Sequence, residues 1–176
     1  VMIIGGGKVG FKLAKTLESY KRDGIVIKLV EKSVDKCRII SDHLDKTLVL
    51  NGDAADVNFL KEENIENTDV LVSLTGSDEM NIIASILGKK LGVGKTIAEI
   101  NKPDYEVIMQ TLGVDAYVSS RLLVAGSLAK LFRKSNILSE TVLKDGKAEM
   151  VELIVSPRAP VINKSLRELM LSAKGI

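Results

Sequence analysis

Three glycines near the start of the chain have a spacing that matters chemically. Gly5, Gly7 and Gly10 fit G-x-G-x-x-G, directly after four apolar residues, VMII, and directly before a helical pattern. A strand that turns through glycines into a helix gathers free backbone N–H groups and the positive end of a helix dipole at one point, which suits a phosphate. In that arrangement Gly5 makes the tight turn, Gly7 lets a pyrophosphate approach the backbone, and Gly10 lets the helix pack close on the strand. The expected chemistry is binding of a dinucleotide or nucleotide. Glycines at a strand-to-helix turn also serve the turn alone, so the partners decide.

Glu31 falls at the end of a second apolar run, 21 residues after Gly10. An acid at that spacing receives ribose hydroxyls. It repels a 2′-phosphate and so favours NAD(H) over NADP(H), but it does not separate NAD from ADP or ATP. Lys32 is placed either at the adenine edge and phosphate or in water. Asp53, in NGDAAD, is suited to accept from an adenine amino group with Ala54 offering its N–H; a turn or helix-cap Asp is the other reading. Thr75, Gly76 and Ser77 follow a later strand and face the same crevice. Asp78 and Glu79 open the next helix, where acids are favoured by the dipole in any case.

Groups for acid–base chemistry are missing from this set. The chain has one histidine and one cysteine. His43 and Cys37 both fall on the second helical pattern, where the first reads as solvated and the second as packing. Reduction of a carbonyl needs a positioned proton donor or acceptor, and none stands out. The expectation is no catalytic residue, no metal ligand and no enzyme. A lone cysteine forms no intramolecular disulfide and no multi-cysteine zinc site, which fits a reducing compartment.

The elements that must position these residues alternate. Strands are expected at 1–4, 25–31, 47–51, 69–75, 95–100 and 115–120. Helices are expected at 8–20, 34–44, near 56–63, 77–91, from Pro103 to Gly113, and 121–133. KRDG closes the first helix, Ser33 caps the second, and Pro103 suits a helix start. This βα alternation predicts a doubly wound, six-stranded parallel sheet of Rossmann type, covered on both faces, with its ligand crevice at the carboxyl ends of the strands. The pattern changes after Arg133. Residues 141–156 read as a hairpin with a KDGK turn. PRAPV follows as a linker, then a short helix NKSLRELML with Asn163 or Ser165 as cap.

Composition narrows the classes. Of 176 residues, 45% are hydrophobic and 27% charged, with net charge +2, an ordinary globular balance. Aromatics are 3% with no Trp, which disfavours stacking on single-stranded nucleic acid. Lys and Arg are scattered among acids, so no nucleic-acid partner is expected. No apolar run has the length of a membrane span, and no signal peptide is read at the start. The chain opens without Met and stops just after a helical pattern, so a piece of a longer protein is expected.

GGGKVGFKLAKTLE, LVEKS, LNGDAAD, DVLVSLTGSDEMNIIASILGKKLG and IAEINKPDYEVIMQTLGVDAYVS, in that order, resemble the RCK/KTN (TrkA-N) domains of the TrkA family, which regulate Trk/Ktr-type potassium uptake systems. The resemblance spans about 1–134, and 135–176 look like the linker hairpin and truncated start of a following TrkA-C domain. It implies NAD(H), or ATP/ADP, at Gly5, Gly7, Lys8, Val9 and Gly10, with Glu31 at the ribose, Asp53 and Ala54 at the adenine, and Thr75, Gly76, Ser77, Asp78 and Asn81 on the far side. It also implies a homo-oligomer, dimer or higher ring, on the cytoplasmic face of the membrane. The partner would be a membrane-embedded, TrkH/KtrB-like potassium transporter subunit, gated through nucleotide-dependent change. One departure stands out: where the family often has Arg in the fifth strand, this chain has Ala98-Glu99-Ile100-Asn101, and Glu99 repels phosphate. Two other readings stay open, a cofactor-binding fragment of an NAD-dependent oxidoreductase and a nucleotide-free assembly half of a tandem protein.

Overall fold

The computed structural model of the chain describes residues 1–20, 24–109, 111–132, 137–142, 149–165 and 168–169. By contact density the chain forms two compact units, Val1–Val124 and Ala125–Ile176.

In the first unit, strands and helices alternate along the chain. They are β1 (Met2–Ile4), α1 (Lys8–Ser19), β2 (Ile27–Glu31), α2 (Val34–Ser41), β3 (Thr47–Asn51), α3 (Val57–Glu62), β4 (Val70–Ser73), α4 (Asp78–Lys90), β5 (Lys95–Glu99), α5 (Pro103–Met109), β6 (Ala116–Val118) and α6 (Ser120–Phe132), the last running on into the second unit. All six strands are parallel, in the order β3-β2-β1-β4-β5-β6. This is the doubly wound sheet the alternation predicts. The chain reverses its direction of winding between β1 and β4, and such a switch point opens a crevice at the carboxyl edge.

Side-chain alternation along the strands builds the core on both faces. Met2 and Ile4 pack with Leu71, Leu60 and Ala84 under α3 and α4, whereas Ile3 packs with Leu29, Ala14 and Ile40 under α1 and α2. A third cluster, including Ile82, Ala98, Ile100 and Met109, fixes α4 and α5 beside β5. Met2, Ile3 and Ile4 are 2% exposed or less. Removing a side chain of this size from water contributes about 1.5–3 kcal/mol.

Several boundaries differ from expectation. α2 stops at Ser41, not 44, and α5 at Met109, with Gly113 at φ 75 beyond it. A single 3₁₀ turn, Ile65–Asn67, enters after Asn64 at φ 56; nothing in the apolar spacing announces it. KRDG falls mostly outside the described residues.

The second unit contains an antiparallel hairpin of β7 (Ile137–Val142) and β8 (Glu149–Leu153). Its first strand begins earlier than 141, and the KDGK turn lies outside the described residues. At Ser165 the hydroxyl accepts from Glu168 N (3.3 Å) while the Glu168 carboxylate accepts from Ser165 N (2.6 Å). That is the bond pattern of a capping box, made by Ser165 and not by Asn163, which takes φ 59. Of NKSLRELML, residues 166–167 and 170–171 lie outside the described residues, and the described remainder contains turns and no helical element. Among the described residues, no helix is long and apolar enough to cross a membrane.

Candidate functional site

The turn from β1 into α1 is shaped by backbone contacts that exclude side chains. Gly5 has φ +105, donates to Val30 O (2.8 Å), and a β-carbon on it would lie 2.7 Å from Leu74 O. On Gly10 a β-carbon would stand 2.0 Å from Gly5 O. Gly7 differs: a β-carbon there meets nothing within 4 Å, because it faces the crevice. Gly7 is also the N-cap of α1 and supplies no side-chain bond, whereas Ser33, Asp56 and Ser77 cap α2, α3 and α4 with theirs. Among these four helix starts, only at α1 does no capping side chain take up any of the free N–H groups.

Glu31 is clamped rather than free. Its Oε2 accepts from Gly6 N at 2.9 Å and its Oε1 from Ser33 N at 2.8 Å. Each carboxylate oxygen keeps a second lone pair for a ligand hydroxyl. Gly6 does not line the cavity but holds Glu31, a positioning role that the G-x-G-x-x-G pattern passes over. A β-carbon on it would press 2.5 Å from Ile40 Cδ1 and 3.0 Å from Glu31 Oε2. The run of three glycines, where the pattern needs two, was the available signal.

Lys32 and Asp53 are each other's partners, with Nζ 2.8 Å from Oδ2. Asp53 Oδ1 also accepts from Ala55 N at 2.9 Å. The lysine, then the Ala55 N–H, hold the Asp53 carboxyl below its ordinary range, and Asp53 raises Lys32 in return. Asp53 is thus a turn residue whose charge is shared with a neighbouring lysine. The pair is exposed and contributes little to stability.

The loop after β4 is held from below by Asn81, which is fully buried. Its Oδ1 accepts from Thr75 N and Thr75 Oγ1, both at 2.7 Å, and its Nδ2 donates to Thr75 O (3.2 Å) and Glu99 O (2.9 Å). Ser77 caps α4 by accepting from Met80 N. Glu79 accepts from Lys102, Ser77 and Tyr105, and these bonds, that of Lys102 first, bring its carboxyl down to about 2.

These parts surround a cavity of about 430 Å³ at the carboxyl edge, within the size range of small-molecule sites. β1 and its turn contribute Gly5 and Gly7, and the end of β2 with the residue after it contributes Glu31 and Lys32. The loop after β3 contributes Asp53 and Ala54, and the loop after β4 contributes Thr75, Gly76 and Ser77. Ile4, Val30 and Leu74 give it an apolar floor; Lys36 and Met80 also line it. Lys36 and Met80 each sit on the first turn of a helix that leaves the crevice, and that position was the signal for them.

Five expected contacts are placed elsewhere. Lys8 and Val9 are exposed on the first turn of α1 and do not line the cavity. Gly10 is buried against Gly5. Asp78 turns to the end of β5, where its Oδ2 accepts from Asn101 N (2.9 Å) and Lys102 N (2.8 Å). Asn81 lies beneath the loop instead of in the cavity. Glu99 does not line it either; its carboxylate accepts from Asn101 Nδ2 at 3.3 Å. His43, beside Phe11 and bonded to Ile39 O, is also outside the lining, as is Cys37, which donates to Glu31 O.

A doubly wound parallel sheet with a glycine turn, a clamped acid at the end of β2 and a crevice at the switch point defines the Rossmann class. Residues 1–120 match the TrkA-N domain family, and the chain belongs to it. A Trk system potassium uptake protein homolog of Methanothermobacter thermautotrophicus is 37% identical over 176 residues, 100% of this chain and 79% of that protein. Homolog 1 of Methanosarcina mazei is 36% identical over 169 residues, 96% of this chain; the chain spans only 41% of that protein's length. Among solved structures, the NAD(P)-binding domain of an exopolyphosphatase-related protein from Archaeoglobus fulgidus has a TM-score of 0.65 at 18% identity, covering 76% of this chain and 98% of that one. The GsuK channel bound to NAD has a TM-score of 0.63 at 18% identity, covering 72% and 22%. GsuK bound to ADP has a TM-score of 0.61 at 22% identity, covering 75% and 33%.

Proposed function

We propose that the chain is a non-enzymatic nucleotide sensor of a potassium uptake system, holding NAD(H), or ATP/ADP, in the crevice at the carboxyl edge of the sheet. The observation that carries this reading is the β1–α1 turn. Gly5 and Gly10 are closed by backbone, Gly7 opens onto the cavity, and the helix start behind it has no capping side chain. A phosphate fits that place by charge and by shape. In this reading Glu31 accepts from ribose hydroxyls, Asp53 and Ala54 border the adenine, and Thr75, Gly76 and Ser77 bound the far side.

The names of the relatives support the potassium part, and NAD and ADP in GsuK support the nucleotide part. A sensing role is supported by the lining. Its ionisable side chains are Glu31, Lys32, Lys36 and Asp53, of which Lys32 and Asp53 neutralise each other. The chain acts with a membrane-embedded potassium transporter subunit, as a peripheral cytoplasmic homo-oligomer in which nucleotide-dependent change gates the flux. Exposed Leu122, Leu123, Val124 and Leu128 on α6 suit such pairing.

Titration calorimetry of the full-length protein with NADH, NAD⁺, ADP and ATP tests the reading. Saturable heat with at least one of them, and no consumption of NADH, is expected. Silence with all four overturns it.

A further inference from the structure

The segment NKPDY (101–105) contributes nothing to the cavity lining, yet its polar groups are bonded to TGSDEMN (75–81). Asp78 accepts from Asn101 N and Lys102 N, and Glu79 accepts from Lys102 Nζ and Tyr105 Oη. Asn101 in turn reaches α6. Its Oδ1 accepts from Ser120 Oγ (3.1 Å) and Arg121 N (3.4 Å). The N–H of Arg121 belongs to a helix start, where no intrahelical carbonyl serves it.

We propose that these bonds form a relay through which occupation of the crevice sets the first turn of α6, with Asn81 and Asn101 as its positioning residues. The relay rests on the nucleotide reading of the crevice. Thr75 and Ser77 line the cavity, so a ligand that engages their loop acts on Thr75 N–H and Oγ1. Both bond to Asn81 Oδ1, while Asn81 Nδ2 bonds to Thr75 O and to Glu99 O. This amide is fully buried with both ends in use, so the loop and the end of β5 move as one body. Asp78, next after Ser77, ties the same loop to Asn101. Asn101 is the last member before α6, two residues beyond Glu99 and bonded to its carboxylate. Each link is a directional hydrogen bond, and satisfied networks of this kind resist partial displacement.

Hydrogen exchange of the full-length protein, with and without saturating NADH or ADP, tests the relay in wild type, Asn101→Ala and Ser120→Ala. In wild type, ligand is expected to slow exchange at residues 121–124 about five-fold or more, the lower end of ordinary allosteric coupling. In Asn101→Ala, which loses both bonds to α6, that effect is expected to fall below about two-fold, and in Ser120→Ala, which keeps the Arg121 N bond, to fall to about half, with protection at 75–77 and calorimetric affinity retained in both. Ser120→Ala removes one hydroxyl and no backbone bond, so it decides the matter if Asn101→Ala does not fold. Wild-type protection confined to 75–77, or variants that keep the full effect at 121–124, overturns the relay while leaving the nucleotide site intact. Absence of both binding and protection at 75–77 in wild type overturns the nucleotide reading itself, and the relay with it.

Discussion

A β-carbon on Gly10 would stand 2.0 Å from the carbonyl oxygen of Gly5. The first helix therefore leans on the turn that launches it more closely than any side chain permits. Gly10→Ala is expected to destabilise the domain by about 1–3 kcal/mol or more, as overpacking does. A thermal or denaturant melt measures this.

Gly7→Ala is the opposite case. Gly7 has φ −70 and open space where a β-carbon would go. Ala suits the backbone angle but is a poorer N-cap than Gly, so the change is expected to alter stability by no more than about 1 kcal/mol. Nucleotide affinity is expected to fall about ten-fold or more, equivalent to ~1.4 kcal/mol. Parallel melts and calorimetry separate the two glycines; equal affinity in Gly7→Ala would remove the phosphate from this turn.

Glu31→Gln places an amide where Gly6 N and Ser33 N both donate. One of the two N–H groups then faces a donor, and bonds to a charged acceptor are worth about 1.5–3 kcal/mol. A loss of about that size is expected in denaturant. NADPH is expected to bind wild type about ten-fold more weakly than NADH, with the gap narrowing in Glu31→Gln.

Asn81→Leu removes the bonds at Thr75 and Glu99 and leaves buried backbone groups unpaired, each costing about 1–3 kcal/mol. Loss of several kcal/mol in a urea melt is expected, together with weaker nucleotide binding.

The Glu18 carboxylate, near the end of α1, accepts from Asp45 N, Lys46 N, Thr47 N and Thr47 Oγ1. Burial opposes its charge, but the Thr47 hydroxyl and the three N–H groups outweigh it and hold the carboxyl below 4.5. A depressed carboxyl stabilises the fold fully above its unfolded value and loses that contribution as pH falls through the folded one. Stability is therefore expected to decline below pH 4.5, and Glu18→Gln to flatten that decline. Acid titration of both proteins, followed by circular dichroism, reads the difference.

The frame of this site is visible in sequence because its determinants are local. Short apolar runs bounded by turn residues give the strands, glycine spacing gives the turn, and Glu31 lies where β2 must end. Partner choice is not local. Lys32 meets Asp53 across 21 residues only because β2 and β3 pair in a given register. Asp78 and Asn81 stand one turn apart on α4, and helical spacing assigns them a face without naming what lies opposite. The packing of α4 against β5 decides that, turning Asp78 to Asn101 and burying Asn81. Lys8 and Val9 lie within the glycine pattern in sequence, yet both side chains are exposed on the first turn of α1.

The mutual bonding of 75–81 and 99–105 bears on how such domains recombine. A crossover between relatives placed after α4, in the stretch from Leu91 to Gly94, separates Asp78, Glu79 and Asn81 from Asn101, Lys102 and Tyr105. A hybrid built that way inherits half of each contact. The two loops are one unit of inheritance although a helix and a strand lie between them.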